Sequence, residues 1–144
     1  MIAVNRIDLE DARLLLAGAR HTSAEIGVPM CIAIVDESGN LVAFERMDGG
    51  KVTSTTIAID KAYTAAAARR ATHEYGQASQ PGSPAYGINS AIGGRLMVVG
   101  GGLPLVVDGE VVGGIGVSSG SPAQDQQVAQ GGIDHFYTTT GLKG

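Results

Sequence analysis

The sequence predicts an α+β fold in which helices pack on a five-stranded antiparallel sheet, with the element order α-β-β-α-(loop)-β-β-β-α. Two observations support this class. Apolar runs typical of strands are joined in pairs by turns too short for a crossover helix, so hairpins dominate. Helices with regular apolar spacing come before and after these hairpins. The chain has 144 residues, which suits a single domain over residues 1–144.

The first third of the chain predicts a helix followed by a hairpin. Residues 8–26 repeat Leu, Ala and Ile at three- and four-residue steps, which makes one apolar stripe, and Asp8 is a suitable N-cap. Gly27 ends this helix. The apolar run 30–36 predicts a buried strand, and the run 41–46 predicts its partner because only a short polar turn separates the two.

The middle of the chain predicts a second helix, a long connection and three strands. Residues 53–70 are rich in alanine, which indicates a thin helix pressed against a sheet or another subunit. Residues 72–94 contain many Gly, Pro, Ser and Asn residues, so we expect a long loop with one or two helical turns. The runs 96–99, 103–107 and 110–117 predict strands, the last two joined by an Asp-Gly turn.

The end of the chain predicts a capped helix and a loose tail. Ser121 is a typical N-cap, Pro122 suits the first helical position, and Gln124 completes a capping box. This helix is expected to run to about Tyr137. The remaining residues 138–144 are expected to be loosely held.

Three consecutive glycines, Gly100 to Gly102, raise the question of a phosphate-binding loop. Such a loop needs a helix N-terminus after the glycines, whereas a strand-like run follows here and no Lys-Ser or Lys-Thr pair is present. The glycines therefore indicate a place where backbones come close together. Gly113, Gly114 and Gly116 indicate the same, and either a helix at short range or a hollow for a flat ligand would explain them.

Charge and composition narrow the function classes. Lys and Arg number 10 against 14 Asp and Glu, a net charge of −4, which argues against a nucleic-acid surface. The single cysteine, Cys31, cannot form an internal disulfide. No run approaches the length of a membrane helix, and acidic residues near the N-terminus do not suit a signal peptide. The expectation is a cytoplasmic protein that binds neither membrane nor nucleic acid.

Several segments together resemble one family. "GVPMCIAIVDESGNLVAFERMDGG", "AIDKAYTAAAARRATHEYG", "QPGSPAYGI" and "GGRLMVVGGGLPLVVDGEVVGGIGVSSGSPAQDQQVAQGG" are similar to the GlcG/HbpS-like family, which includes the C-terminal domain of the PduO-type corrinoid adenosyltransferase. The resemblance covers about residues 9–133. It implies a profilin/PAS-like fold and homo-oligomers, often octamers. It also implies heme or iron binding in some members.

His21 is the candidate heme and metal ligand. The resemblance implies ligation of heme by a histidine on the first helix, shortly before the "GVP" segment, and His21 occupies the matching place. A neutral imidazole suits heme iron. The alternative is an exposed helix histidine that pairs with Glu25, one turn later.

Lys61, His73 and Glu74 are the other reactive candidates. Lys61 lies on a mostly small and apolar helix face, where it could hold a carboxylate or propionate, act in proton transfer, or simply pair with Asp48 or Asp125. His73 and Glu74 begin the long loop and could act as general acid or base if that loop lines a pocket, although helix-terminal polar residues are the plainer interpretation. His135 is interpreted as structural.

The sequence therefore favours a small oligomeric protein that binds a flat or anionic small molecule, with heme as the leading cofactor. His21 would ligate iron, and Lys61 would hold a carboxylate beside the glycine segment that contains Gly101 and Gly102. The alternative is a cofactor-free lyase or isomerase that acts on a small organic acid, with Lys61, His73 or Glu74 moving protons and the 72–94 loop as a lid.

Overall fold

The computed structural model describes all residues, 1–144, as a four-stranded antiparallel sheet covered by helices on both faces. The elements in chain order are α1 Leu9–Ile26, β1 Cys31–Asp36, β2 Leu41–Arg46, α2 Thr53–Ala67, α3 Thr72–Ala78, β3 Gly102–Val107, β4 Glu110–Ser118 and α4 Pro122–Thr140, with two 3-10 turns at Ile88–Ser90 and Ile92–Gly94 between α3 and β3. The strand order is β2-β1-β4-β3. Helices α1 and α4 pack on one face, and α2 packs on the other. The α+β class is confirmed.

The prediction that residues 96–99 form a fifth strand is wrong. This run is extended but forms no ladder with the sheet, because its backbone is engaged by helices instead. The Met97 N–H donates to Thr64 Oγ1 of α2 at 3.0 Å. On the other side, the Val98 carbonyl lies so close to Gly76 of α3 that a Cβ there would overlap it. The apolar run reflects packing between two helices and not a place in the sheet.

Strand β1 is buried along its whole length because both faces of the sheet are covered. Ile32 and Ile34 point into the larger core shared with α1 and α4. Cys31, Ala33 and Val35 point to the opposite face, where they meet the alanines of α2. Larger side chains therefore fill the α1/α4 side, and small ones let α2 approach closely.

Gly114 and Gly116 of β4 allow α2 to approach the sheet this closely. A Cβ at Gly114 would lie 3.0 Å from the carbonyl oxygen of Ala62, and one at Gly116 would overlap the carbonyl oxygen of Ala58. Of the two explanations that the sequence left open, the structure shows a helix at short range. No side chain larger than hydrogen fits between α2 and the sheet at Gly116, and a methyl group at Gly114 would press on α2.

The predicted helix caps at Asp8 and Ser121 are confirmed, with both reciprocal hydrogen bonds of a capping box present at each. The prediction for the C-terminal tail is corrected. Helix α4 continues to Thr140, and the residues after it dock on the β3–β4 hairpin, where the Asp108 N–H donates to the Lys143 carbonyl at 2.8 Å. The Tyr137 hydroxyl donates to the Val106 carbonyl and ties α4 to the same hairpin.

None of the helices has both the length and the apolar character that crossing a bilayer requires.

Replacing Gly116 by alanine is expected to destabilise the fold by about 3 kcal/mol or more, because α2 must move off the sheet to admit the methyl group. The measurement is urea unfolding followed by circular dichroism. Gly82→Ala is the control, since it meets open space and should cost only the left-handed backbone, about 1–2 kcal/mol. Equal losses in the two variants would contradict the packing argument.

An ion pair between the N-terminal segment and the β1–β2 turn should make stability depend on pH. Arg6 Nε donates to Glu37 Oε2 at 2.7 Å, and this hydrogen bond lowers the pKa of Glu37 from 4.5 to about 2. The contribution of the pair is therefore present above pH 4.5 and is lost as the pH falls from there to about 2. Glu37→Gln should flatten that part of the stability curve, measured by urea unfolding at each pH. Asp48→Asn, at an exposed site, is the control and should keep the wild-type slope.

Candidate functional site

A buried ion pair between Lys61 of α2 and Asp125 of α4 lies at the end of the sheet where β4 finishes. The exposed fraction of Lys61 is 1% and that of Asp125 is 2%. Lys61 Nζ donates to Asp125 Oδ2 at 2.9 Å and to the Val117 carbonyl at 2.9 Å. The second oxygen, Asp125 Oδ1, accepts from the Gly120 N–H at 2.9 Å. Both charges are thus paired and hydrogen-bonded, which a buried pair requires.

Gly101 and Gly102 make room for this pair. A Cβ at Gly101 would lie 2.9 Å from Lys61 Nζ and 2.8 Å from the Asp125 side chain. Gly101 also has φ +125°, a backbone conformation that strongly favours glycine. A Cβ at Gly102 would lie 2.5 Å from the Lys61 carbonyl oxygen, and its N–H donates to Thr72 Oγ1 at 2.9 Å. Lys61 therefore passes the edge of the sheet beside these two glycines. A strand, and not a helix, follows them.

Burial lowers the pKa of the Lys61 ammonium from its ordinary value, and the hydrogen bond and the charge of Asp125 act in the opposite direction. The four surface hollows of the chain are lined by other residues, so no hollow opens onto Lys61. The pairing with Asp125 is one of the two ion pairs that the sequence offered as alternatives for this lysine.

His73 and Glu74 lie in the first turn of α3. Glu74 pairs with Arg70 at 3.3 Å on the surface. The His73 Nδ1 atom is enclosed and has no hydrogen-bond partner, and the His73 Cβ faces Gly100. No surface hollow is lined by either residue or brings them to Lys61. The structure thus holds no cavity in which the three proton-transfer candidates meet.

His21 lies on the other face of the sheet from α2, on the exposed side of α1, with Nε2 3.0 Å from Glu25 Oε1. It borders a hollow of about 360 Å³ between α1 and α4, lined by Ala17, Gly18, His21, Thr22, Gly131 and His135. The two helices pack tightly here, since a Cβ at Gly18 would overlap His135 and one at Gly131 would overlap Thr22. Two histidines, His21 and His135, are among the residues that line the hollow.

The sequence left one residue of these sites open and missed another. Asp125 is only one of the two acids that the sequence offers as partners for Lys61. The neighbouring capping box at Ser121 could have signalled more, because it fixes the turn in which the carboxylate faces back to Gly120. His135 was interpreted as structural, and no local signal reveals that it shares a hollow with His21, since only the packing of α1 on α4 brings them together.

No group of three or more His, Cys, Asp or Glu side chains is arranged to hold a metal ion. A metal at His21 would therefore need ligands beyond those that the chain itself gathers there.

The model of the family described as haem-degrading protein HbpS-like matches residues 7–134 of the chain. The chain belongs to the HbpS-like family. This confirms the resemblance found in the sequence. The match runs from just before α1 to the last turns of α4. It includes the buried ion pair and every residue that lines the α1/α4 hollow except His135.

Similar proteins extend the comparison. An uncharacterised 15.0 kDa protein of Citrobacter freundii, from the dhaT-dhaS intergenic region, is 39% identical over 130 residues, which is 90% of this HbpS-like chain and 92% of that protein. The crystal structure of Klebsiella pneumoniae ORFY is 36% identical with a TM-score of 0.92, and it covers 94% of both chains. A structure of PduOC in complex with heme is 35% identical with a TM-score of 0.87, and covers 90% of this chain and 94% of that one.

Replacing Lys61 of the buried pair should destabilise the folded chain. Lys61→Met leaves the Asp125 carboxylate buried without its cation, and we expect a loss of about 3–5 kcal/mol in the free energy of unfolding. Urea unfolding measures it.

The double variant Lys61→Met/Asp125→Asn is the matched control. The asparagine is neutral and still offers an oxygen to the Gly120 N–H, so the double variant should be at least about 1 kcal/mol more stable than Lys61→Met alone. A double variant that is less stable than Lys61→Met would show that an unpaired buried charge is not the cause of the loss.

Proposed function

We propose that this HbpS-like protein binds heme at the hollow between α1 and α4, with the imidazole of His21 as the iron ligand. The observation that carries the proposal is the position of His21, which is exposed and lines the hollow between α1 and α4. The 35% identical PduOC, whose structure contains heme, supports heme over other flat ligands.

The donor chemistry of the hollow suits heme. An imidazole is a common axial ligand of heme iron, and a carboxylate bonded to one ring nitrogen orients the ring and leaves the other nitrogen for the metal. Glu25 Oε1 lies 3.0 Å from His21 Nε2 on the same helix, so Nδ1 would be the nitrogen available to iron. Gly18 and Gly131 let α1 and α4 come close together, and this brings the His21 and His135 side chains to one hollow. When bound, heme would supply a redox-active iron at the protein surface.

Lys61, Gly101 and Gly102 would support such a site indirectly. Lys61 holds the first turn of α4 through Asp125, and α4 carries Gly131 and His135 at the hollow. A direct contact between Lys61 and a heme propionate would require the buried pair to open, which leaves Asp125 without its cation. We therefore assign Lys61 a positioning role in the proposed site.

Self-association is the second part of the proposal. The family resemblance implies homo-oligomers, and the 14.6 kDa chain exposes several large apolar side chains, among them Val52, Tyr86 and Ile92.

Titration of hemin into the purified protein should produce a shifted Soret band in the wild type and little or none in His21→Ala, because the iron loses its ligand. His73→Ala removes a histidine far from the hollow and should bind as the wild type does. A wild type without a Soret shift, or a His21→Ala variant with an unchanged one, would refute this assignment.

A further inference from the structure

A second hollow, of about 300 Å³, lies where the two ends of the chain meet the β3–β4 hairpin. The segment before α1 and the first turn of α1 form one side of it, and the hairpin, the end of α4 and the tail after α4 form the other. This volume is at the lower end of the range for small-molecule sites. The hollow shares no lining residue with the one at His21, so the proposed heme site does not account for it.

Hydrogen bonds between distant parts of the chain fix the walls of this hollow. The Ile7 N–H donates to the Val112 carbonyl at 3.2 Å and joins the N-terminal segment to β4. The Asp108 N–H donates to the Lys143 carbonyl at 2.8 Å and joins the hairpin to the tail. A site whose walls are fixed before binding loses less conformational entropy when a ligand enters it.

The inner surface of the hollow is apolar. Three of the side chains that line it are almost completely buried, with Phe136 1% exposed and Ile7 and Val112 each 5% exposed. Val107 and Leu142 are more exposed and continue this apolar lining toward solvent. A hydrocarbon group in the hollow would be removed from water, which is favourable in proportion to the apolar area that it buries.

Two carboxylates that line the hollow have no cationic partner. Asp11 Oδ2 accepts from the Asp8 N–H at 3.1 Å in the capping box, and no hydrogen bond within the chain occupies Asp11 Oδ1 or the Asp108 carboxylate. Neither Asp11 nor Asp108 takes part in any ion pair of the chain. Both side chains therefore keep acceptor oxygens for a donor from outside the chain.

The one cationic side chain that lines the hollow, Arg6, does not neutralise these carboxylates. Its Nε and a terminal nitrogen both donate to Glu37, at 2.7 Å and 2.6 Å. Asp36 also lies 3.8 Å from Arg6 Nε. The charge of Arg6 is thus balanced at the turn after β1, and the hollow keeps the excess negative charge of Asp11 and Asp108.

We propose that this hollow binds a small organic cation, namely a primary ammonium group on an apolar body. The ammonium would lie at the carboxylates of Asp11 and Asp108, and the apolar body would lie against Phe136, Ile7 and Val112. An ammonium offers three donors to the free carboxylate oxygens, and charge-assisted hydrogen bonds of this kind are the strong ones. An anion is repelled here, and a neutral apolar molecule would partly desolvate the carboxylates without giving them a partner. This inference goes beyond the proposed heme site and depends neither on it nor on self-association.

The test is a titration of the purified full-length chain, without heme, with 2-phenylethylammonium, followed by the amide shifts in a proton–nitrogen NMR spectrum. The wild type should bind it with a dissociation constant on the order of 1 mM, as suits so small a ligand. The largest shifts should fall on the residues before α1 and on the β3–β4 hairpin, because these form the walls.

Asp11→Asn and Asp108→Asn should each weaken binding about threefold or more, and the double variant about tenfold or more, because the ammonium loses its counter-charges. Both variants should fold. The asparagine at 11 still offers an oxygen to the Asp8 N–H, and asparagine tolerates the φ of +50° at 108. Asp48→Asn is the matched control, since it removes the same charge at an exposed site outside the hollow, and it should bind as the wild type does.

The neutral analogue 2-phenylethanol separates recognition of charge from burial of the ring, and it should bind at least about tenfold more weakly. A wild type without saturable shifts at about 20 mM 2-phenylethylammonium would overturn the site. Equal binding of the alcohol, or an affinity that neither hollow variant changes, would overturn the assignment of a cation. A loss in Asp48→Asn as large as in the hollow variants would also overturn it, because net charge alone would then explain the effect.

Discussion

The Lys61–Asp125 ion pair connects the two helical layers through the end of the sheet, and much of the architecture follows from it. Lys61 comes from α2 on one face and Asp125 from the first turn of α4 on the other, and they meet at 2.9 Å. A buried pair of this kind needs further hydrogen bonds to its charged groups. The Val117 carbonyl accepts from Lys61 and the Gly120 N–H donates to Asp125, so the pair also ties the end of β4 to the two helices.

Several glycines are a consequence of this arrangement. For the lysine to reach Asp125, the residue just before β3, Gly101, must lack a side chain, and for α2 to lie close to the sheet, β4 carries glycine at 114 and 116. The same closeness explains why α2 is rich in alanine, because larger side chains would lift it off the sheet. What looks in the sequence like a binding loop is therefore packing space for one helix and one ammonium group.

Local signals in the sequence were sufficient for α1, α2, α4, the two hairpins and the capping boxes, since each depends on neighbours within a few residues. The β4 glycines stayed open between a close helix and a hollow, because only the packing of the distant α2 decides between the two. The strand prediction for residues 96–99 was wrong because a short apolar run can pack between helices as well as within a sheet. The partner of Lys61 stayed open between Asp48 and Asp125, and His135 was not joined to His21, because both contacts depend on how distant helices pack. Tertiary contacts of this kind leave no periodicity in the sequence.

The geometry limits the sources of affinity for the proposed heme ligand. No hollow of the chain opens onto the ion pair, and in the proposed site the macrocycle would rest on the surface, at the hollow of about 360 Å³ between α1 and α4. A shallow site of this size removes little of the ring from water, and burial contributes in proportion to the area removed. In the proposed site, most of the affinity would then come from the bond between iron and the His21 imidazole, whose orientation the contact with Glu25 fixes. Loss of that one imidazole would remove the main attraction, whereas a change in the packing of α1 on α4 would act only through the shape of the hollow.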